Sequence, residues 1–186
     1  MTNIDLLNIA ENFGKPVYVY DSEKIASQYH RLTSAFAGVN DLRINYATKA
    51  LSNLSILKFM RHLGTGLDTV SIQEVQLGLT AGFEPKVIIY TPNGVSLNEI
   101  EEVAKLGVQI NIDNLSLLEQ FGTRHPKIPV CIRINPHVMA GGNNNISVGH
   151  IDSKFGISIH QIPHLLRIVE NTSMNINGIH MHTGSD

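Results

Sequence analysis

The chain has 186 residues, 42% of them hydrophobic and 16% charged, and its 14 Lys and Arg against 16 Asp and Glu leave a formal net charge of −2. This balance argues against a nucleic-acid or membrane-surface role, and no apolar run approaches the roughly 20 residues of a membrane span. A single cysteine, Cys131 in the apolar run Val130-Cys131-Ile132, excludes an intramolecular disulfide or a cysteine zinc cluster and reads as a buried structural thiol.

The opening Met1-Thr2-Asn3-Ile4-Asp5 lacks the basic, then apolar, pattern of a secretory signal, so a cytoplasmic protein is expected. Pro16-Val17-Tyr18-Val19-Tyr20 reads as extended, and Asp21 and Ser22 can cap a helix running to about Phe36. Next, Ile44-Asn45-Tyr46-Ala47-Thr48-Lys49-Ala50 reads as a short strand. A period of two sets Ile44, Tyr46 and Thr48 on one face and Asn45, Ala47 and Lys49 on the other. An amine thus stands at the strand's C-terminal end, above a small residue that leaves room for a bound molecule. Burial there would lower its pKa towards the nucleophilic range. The alternative is a lysine whose stem packs and whose ammonium reaches water.

Ser52 and Asn53 offer caps for a helix carrying Leu54, Leu57, Met60 and Leu63, with Gly64 as its stop. Strand candidates follow at residues 66–71, 87–91, 108–113, 129–135 and 176–183, and helix candidates at 74–81, 97–106, 115–121 and 161–169 separate most of them. Repeated β/α units of this kind fit an open doubly wound sheet or part of a (β/α)8 barrel. One strand parity carries Asn45 and Lys49, Asp68, Asn111 and Asp113, Arg133 and Asn135, and His180 and His182. The other carries Ile44, Leu67, Ile110, Ile112, Ile132, Ile134 and Ile179, suited to an outer helix layer. A doubly wound sheet, covered on both faces, reads apolar on both, so the pattern predicts a barrel with the polar set turned inward and gathered at its C-terminal rim. A complete barrel takes about 250 residues. The expected fold is therefore an incomplete (β/α)8 TIM barrel, about six of eight strands, in an N-terminal fragment of a longer chain.

The closing segment Gly178-Ile179-His180-Met181-His182-Thr183-Gly184-Ser185-Asp186 ends a strand in a turn that offers backbone N–H groups, a hydroxyl and close approach at glycine, all suited to a phosphate. A plain Gly-Ser turn is the alternative. His182 could stack on a flat ring beside Lys49. His180 and His182 also have the spacing of a metal-binding pair, as in metal-dependent barrel hydrolases, although there the pair lies on the first strand and any lysine comes later.

Several segments in order carry a family resemblance. They are Phe13-Gly14-Lys15-Pro16-Val17-Tyr18-Val19-Tyr20-Asp21, Tyr46-Ala47-Thr48-Lys49-Ala50 with Ser52-Asn53, Gly66-Leu67-Asp68-Thr69-Val70-Ser71, Arg133-Ile134-Asn135-Pro136, Lys154-Phe155-Gly156-Ile157 and His182-Thr183-Gly184-Ser185. Through them the chain resembles the diaminopimelate decarboxylases, pyridoxal-phosphate enzymes with an alanine-racemase-like barrel. The loop between Pro136 and Ser153, with Gly141-Gly142 and Ile146-Ser147-Val148-Gly149, resembles theirs more than those of arginine or ornithine decarboxylases. Leu51 stands where asparagine is common, and Thr183 and Asp186 replace the more usual isoleucine and glutamine.

The resemblance implies that Lys49 forms a Schiff base with pyridoxal 5'-phosphate and is catalytic, that His182 stacks on its ring, and that Gly184 and Ser185 hold its phosphate. Asp68 and Arg133 are implied near the cofactor, and no metal is. Lys154 is a candidate contact to a second subunit, with a solvated loop lysine as the alternative. Residues 1–36 become an N-terminal extended segment and helix, and residues 37–186 a partial cofactor-binding barrel. The implied activity is decarboxylation of meso-diaminopimelate to L-lysine, a step of lysine biosynthesis, by a homodimer when full length. The fragment alone is expected to be inactive, because an acidic partner for the pyridine nitrogen, a second phosphate loop, substrate-binding arginines and a catalytic cysteine come from later regions in the family. Alternatives are a decarboxylase of arginine, ornithine or carboxynorspermidine, a metal-dependent hydrolase, and a barrel that binds pyridoxal phosphate without turnover.

Overall fold

Side-chain caps set where all but the last of the described α-helices begin, and hydrophobic contact then sets which face of most strands is sealed. The computed structural model describes residues 2–138 and 153–183. It divides into one unit over Met1–Ile44 and another over Asn45–Asp186.

In the first unit, Thr2 caps α1 (Asn3–Phe13). Its hydroxyl accepts from the Asp5 amide at 3.3 Å while the Asp5 carboxylate accepts from the Thr2 amide at 2.7 Å, a reciprocal box that satisfies amides left free at the helix start. Gly14, at φ 84°, ends the helix. α1 is not among the elements expected from the sequence, although Thr2-x-x-Asp5 is a signal for it. As expected, α2 (Ser22–Ala35) starts after Asp21, whose carboxylate accepts from the Lys24 amide at 3.0 Å.

The second unit opens on β1 (Asn45–Ala47), shorter than expected. A 3-10 turn over Thr48–Ala50 follows, closed by the Leu51 amide donating to the Thr48 carbonyl at 3.1 Å and braced by the Tyr46 hydroxyl donating to the Leu51 carbonyl at 3.1 Å. Lys49 therefore sits in a turn beyond the strand and is exposed, whereas Thr48 beside it is buried.

There follow α3 (Leu54–His62), β2 (Gly66–Thr69), α4 (Ile72–Thr80), β3 (Ile88–Tyr90), α5 (Leu97–Ala104), β4 (Gln109–Ile112), α6 (Leu115–Arg124), β5 (Val130–Asn135), β6 (Ile157–Ser158), α7 (Ile162–Thr172) and β7 (Ile176–His180). Asn53, Ser71, Ser96 and Asn114 each cap the helix that follows with a side-chain oxygen, and so stop each strand at a defined point. The two-residue β6 is not predicted from the sequence, being too short to show any alternation.

All pairings are parallel. The strands lie in chain order from β1 to β5, with β7 on the remaining edge of β5 and β6 paired to its last residues, Ile134 and Asn135. An order without reversal belongs to a barrel wall, whereas a doubly wound sheet reverses at a switch point. The fold is thus a partial β/α barrel, as expected.

Leu67, Ile88, Tyr90, Ile110, Ile112, Val130 and Ile132 on the outer face form one core with Leu57, Val75, Ile100, Val103, Leu118, Phe121 and Leu165 from the helices. Burying one such side chain contributes about 1.5–3 kcal/mol, against about 1 kcal/mol for a helix cap, so the outer layer dominates stability. Two residues assigned to that face depart from expectation. Ile44 is only partly buried, and Ile179 is 72% exposed, although Ile176 on the same strand packs against the core.

Candidate active site

The inward face gathers its polar side chains at the C-terminal ends of the strands, around a cavity of about 360 Å³ lined by Lys49, Asp68, Thr91, Asn93, Arg133, Lys154, Phe155, His180 and His182 among others. Register explains the convergence. Ala47 pairs with Asp68 and Arg133 with His180, so each pair lies side by side in the wall. Lys49 follows two residues after Ala47, and His182 two after His180.

A chain of hydrogen bonds fixes the acidic side of the pocket. The Asn111 amide donates to the Thr91 hydroxyl at 3.0 Å, and that hydroxyl donates to the Asp68 carboxylate at 2.7 Å. Asp113 is buried and accepts from the Asn93 and Asn114 side-chain amides at 2.6 and 3.1 Å. Both carboxylates face Arg133. Burial pulls the pKa of its guanidinium down, and the negative charges of Asp113 and Asp68 pull it back up. The guanidinium carbon lies 4.6 Å from the centre of the Phe155 ring. Such contacts contribute about 0.5–1 kcal/mol at exposed positions and about 2 kcal/mol when the cation is desolvated. Lys154 reaches the same ring from an exposed position, its Nζ 5.2 Å from the centre.

Both histidines are held towards their neutral forms. For His180 burial is the largest cause of a lowered pKa, followed by Arg133, with Asp68 opposing and His182 adding to the depression. For His182 burial again leads, then Arg133 and Lys49, with Asp68 opposing. The Nδ1 atoms of His180 and His182 are buried and have no hydrogen-bond partner among the described residues. No group of three or more His, Cys, Asp or Glu suited to a metal occurs among the described residues, so there the His180–His182 pair lacks a third ligand of these types.

Of the residues singled out in the sequence, Lys49, Asp68, Arg133 and His182 come together in this pocket, while Gly184 and Ser185 lie outside the described residues. Most of the loop used in the family comparison, residues 139–152, lies outside them too. Thr91, Asn93, Asp113 and Phe155 complete the site without having been chosen as site residues. Polarity just past a strand end was a usable signal for Thr91 and Asn93. Phe155, in a loop without periodicity, offered only its place in the segment Lys154-Phe155-Gly156-Ile157. Cys131 is buried as expected, and its thiol is pushed up to about 11 by burial. It lines a second cavity of about 420 Å³ that contains no lysine or carboxylate.

Fold and site together define a β/α-barrel domain with an amine, two carboxylates, an arginine and two neutral-leaning imidazoles at the C-terminal rim. Residues 22–186 match the family described as pyridoxal-dependent decarboxylase, pyridoxal binding domain, and the chain belongs to that family. It is 35% identical over 183 residues to the diaminopimelate decarboxylase of Methanothermobacter thermautotrophicus, covering 97% of this chain and 43% of that protein. A crystal structure of the Helicobacter pylori diaminopimelate decarboxylase complexed with L-lysine superposes with a TM-score of 0.85 at 33% identity, over 98% of this chain and 47% of that one. The arginine decarboxylase of Paramecium bursaria Chlorella virus, 22% identical over 99% of this chain and 49% of that one, shares the fold with a TM-score of 0.83. The chain thus spans less than half the length of these relatives. Among the described residues no helix is long and apolar enough to cross a membrane.

Proposed function

We propose that this chain carries the cofactor lysine of a pyridoxal-phosphate-dependent decarboxylase that converts meso-diaminopimelate to L-lysine, acting as a cytoplasmic homodimer. The observation that carries this reading is the convergence of Lys49, Asp68, Arg133 and His182 on one pocket. Relatives named diaminopimelate decarboxylase are 28–35% identical, against 22% for the viral arginine and the Vibrio vulnificus lysine/ornithine decarboxylases, which favours diaminopimelate as substrate. A free, buried thiol as the chain's single cysteine suits a reducing compartment.

The residues present fit the cofactor. Lys49 offers a primary amine to the cavity, Arg133 and Lys154 bring positive charge suited to an anionic group, and the unpartnered Nδ1 atoms of His180 and His182 leave polar capacity in the wall. Bound there, pyridoxal phosphate supplies the electron sink that makes loss of a carboxylate as carbon dioxide accessible. Lys49 Nζ would hold it covalently and release it as an amino-acid substrate binds. His182, kept towards neutrality by burial and by the charge of Arg133, can lie against an aromatic face without adding a like charge to a protonated ring. Asp68, anchored by the Thr91 hydroxyl, keeps a carboxylate facing Arg133. Gly184 and Ser185 would bind the phosphate, and Lys154 would reach the second subunit.

The test uses protein made from the complete reading frame. Incubation with pyridoxal phosphate and borohydride reduction should leave the label on the Lys49 peptide, and carbon dioxide should be released from meso-diaminopimelate. Lys49→Ala should abolish both while shifting the unfolding midpoint little, since the side chain is exposed. Labelling that survives Lys49→Ala would sink the assignment. Release from ornithine or arginine instead of diaminopimelate would overturn the substrate alone, and labelling without release from any of them would leave a non-catalytic binder.

A further inference from the structure

Arg133 is 8% exposed and lines the pocket, where Asp68, which accepts from Thr91, and Asp113, which accepts from Asn93 and Asn114, attract its guanidinium through space. What lies against it is the ring of Phe155, 4.6 Å from the guanidinium carbon to the ring centre.

That ring is placed by backbone. Gly156, the next residue, has φ +81°, and a Cβ there would come 2.9 Å from the Asn135 amide nitrogen, closer than real Cβ contacts, and a tight 3.0 Å from the Ile134 carbonyl carbon. The chain therefore passes against β5 as only glycine allows. One residue later it pairs with the same strand, Ile157 opposite Ile134. The strand that carries Arg133 thus also fixes the loop that presents Phe155. Lys154 lies near the same ring, but it is exposed and keeps its water, whereas buried Arg133 has lost much of that alternative. A planar, weakly hydrated guanidinium is also the better partner for an aromatic face.

We propose that Phe155 is a positioning residue for Arg133, its ring holding the guanidinium in the pocket wall beside Asp68, Asp113, His180 and His182, with Gly156 permitting that approach. Its consequence for cofactor binding rests on the function proposed above; the contact itself does not.

The experiment titrates the imidazoles of His180 and His182 by NMR in cofactor-free protein from the complete reading frame, and measures equilibrium binding of pyridoxal phosphate, for wild type, Phe155→Leu and Phe155→Tyr. Leucine keeps apolar bulk and removes the ring face, which tyrosine restores. Arg133 lowers both histidine pKa values, so releasing it in Phe155→Leu should raise them. Cofactor binding should weaken roughly threefold to tenfold, and Phe155→Tyr should match wild type in both measurements. Histidine titrations unmoved by Phe155→Leu, or a tyrosine variant as altered as the leucine one, would overturn the proposal. Should Phe155→Leu not fold, Phe155→Met is read by the same criteria. Lys49→Ala measured alongside separates the two readings: covalent labelling that survives it defeats the proposed function, while the histidine titrations still judge Phe155.

Discussion

On β5, Ile132 and Ile134 face the helices and are nearly inaccessible, while Cys131, Arg133 and Asn135, each one residue away, face the interior. The same alternation sets Leu67 against Asp68 on β2 and Ile110 against Asn111 on β4. The outer positions are held by non-directional contact with several helices at once, so side-chain volume matters most there. The inner positions are buried among polar neighbours, where each group needs a named partner, as in the run from Asn111 through Thr91 to Asp68. One face therefore sets stability by packing, and the other sets the placement of charge.

Shortening Ile110 to alanine should show the outer face at its strongest. The residue is fully buried in the core, and Ile110→Ala is expected to cost about 2–5 kcal/mol in urea unfolding, with cofactor attachment to the folded fraction retained. The inner face should respond to loss of a partner at constant volume. Thr91→Val leaves the Asp68 carboxylate and the Asn111 amide without the hydroxyl between them, at a cost of about 1–3 kcal/mol. A near-neutral result would mean that water replaces that hydroxyl and that the inner face is wetter than its hydrogen bonds imply.

The smallest expected effect is on pH dependence. Burial holds the folded pKa values of His180 and His182 below the ordinary imidazole value of about 6.5, so just below that pH the unfolded chain binds more protons than the folded one. Their contribution is therefore present above about 6.5 and is lost as pH falls through the lowered folded values. Urea midpoints of cofactor-free protein should drop across that window, and less steeply in His180→Asn. A slope identical in wild type and variant would show that this imidazole is as free to protonate in the folded protein as in the unfolded one.

Much of the scaffold was legible beforehand because its signals are local. Asp21 and Asn53 cap helices as expected, Gly64 takes the positive φ that ends one, and the two faces of β2, β4 and β5 follow from alternation. The departures arise where a side chain closes a turn that alternation does not record, or where a distant partner decides. Lys49 leaves the strand because the Tyr46 hydroxyl and the Thr48 carbonyl close a turn around it. Ile179 has the same parity and chemistry as Ile132, its neighbour in the sheet, yet is exposed where Ile132 packs into the core. Thr91, from the end of a different strand, joins the site only through the Asp68 carboxylate.

The sequence by itself determined the alternation of strands and helices, the caps that start the helices and the set of polar residues able to face inward. All of these depend on neighbours within a few positions, and a periodic pattern records such neighbours directly. The tertiary structure alone decided that Arg133 meets Phe155, that Asp68 is tied to Thr91, and how Lys49 and His182, already expected together, are set around one pocket. Those contacts join residues some 20 to more than 100 positions apart, and their geometry is set by sheet register and by a glycine pressed against a neighbouring strand, neither of which the order of residues displays.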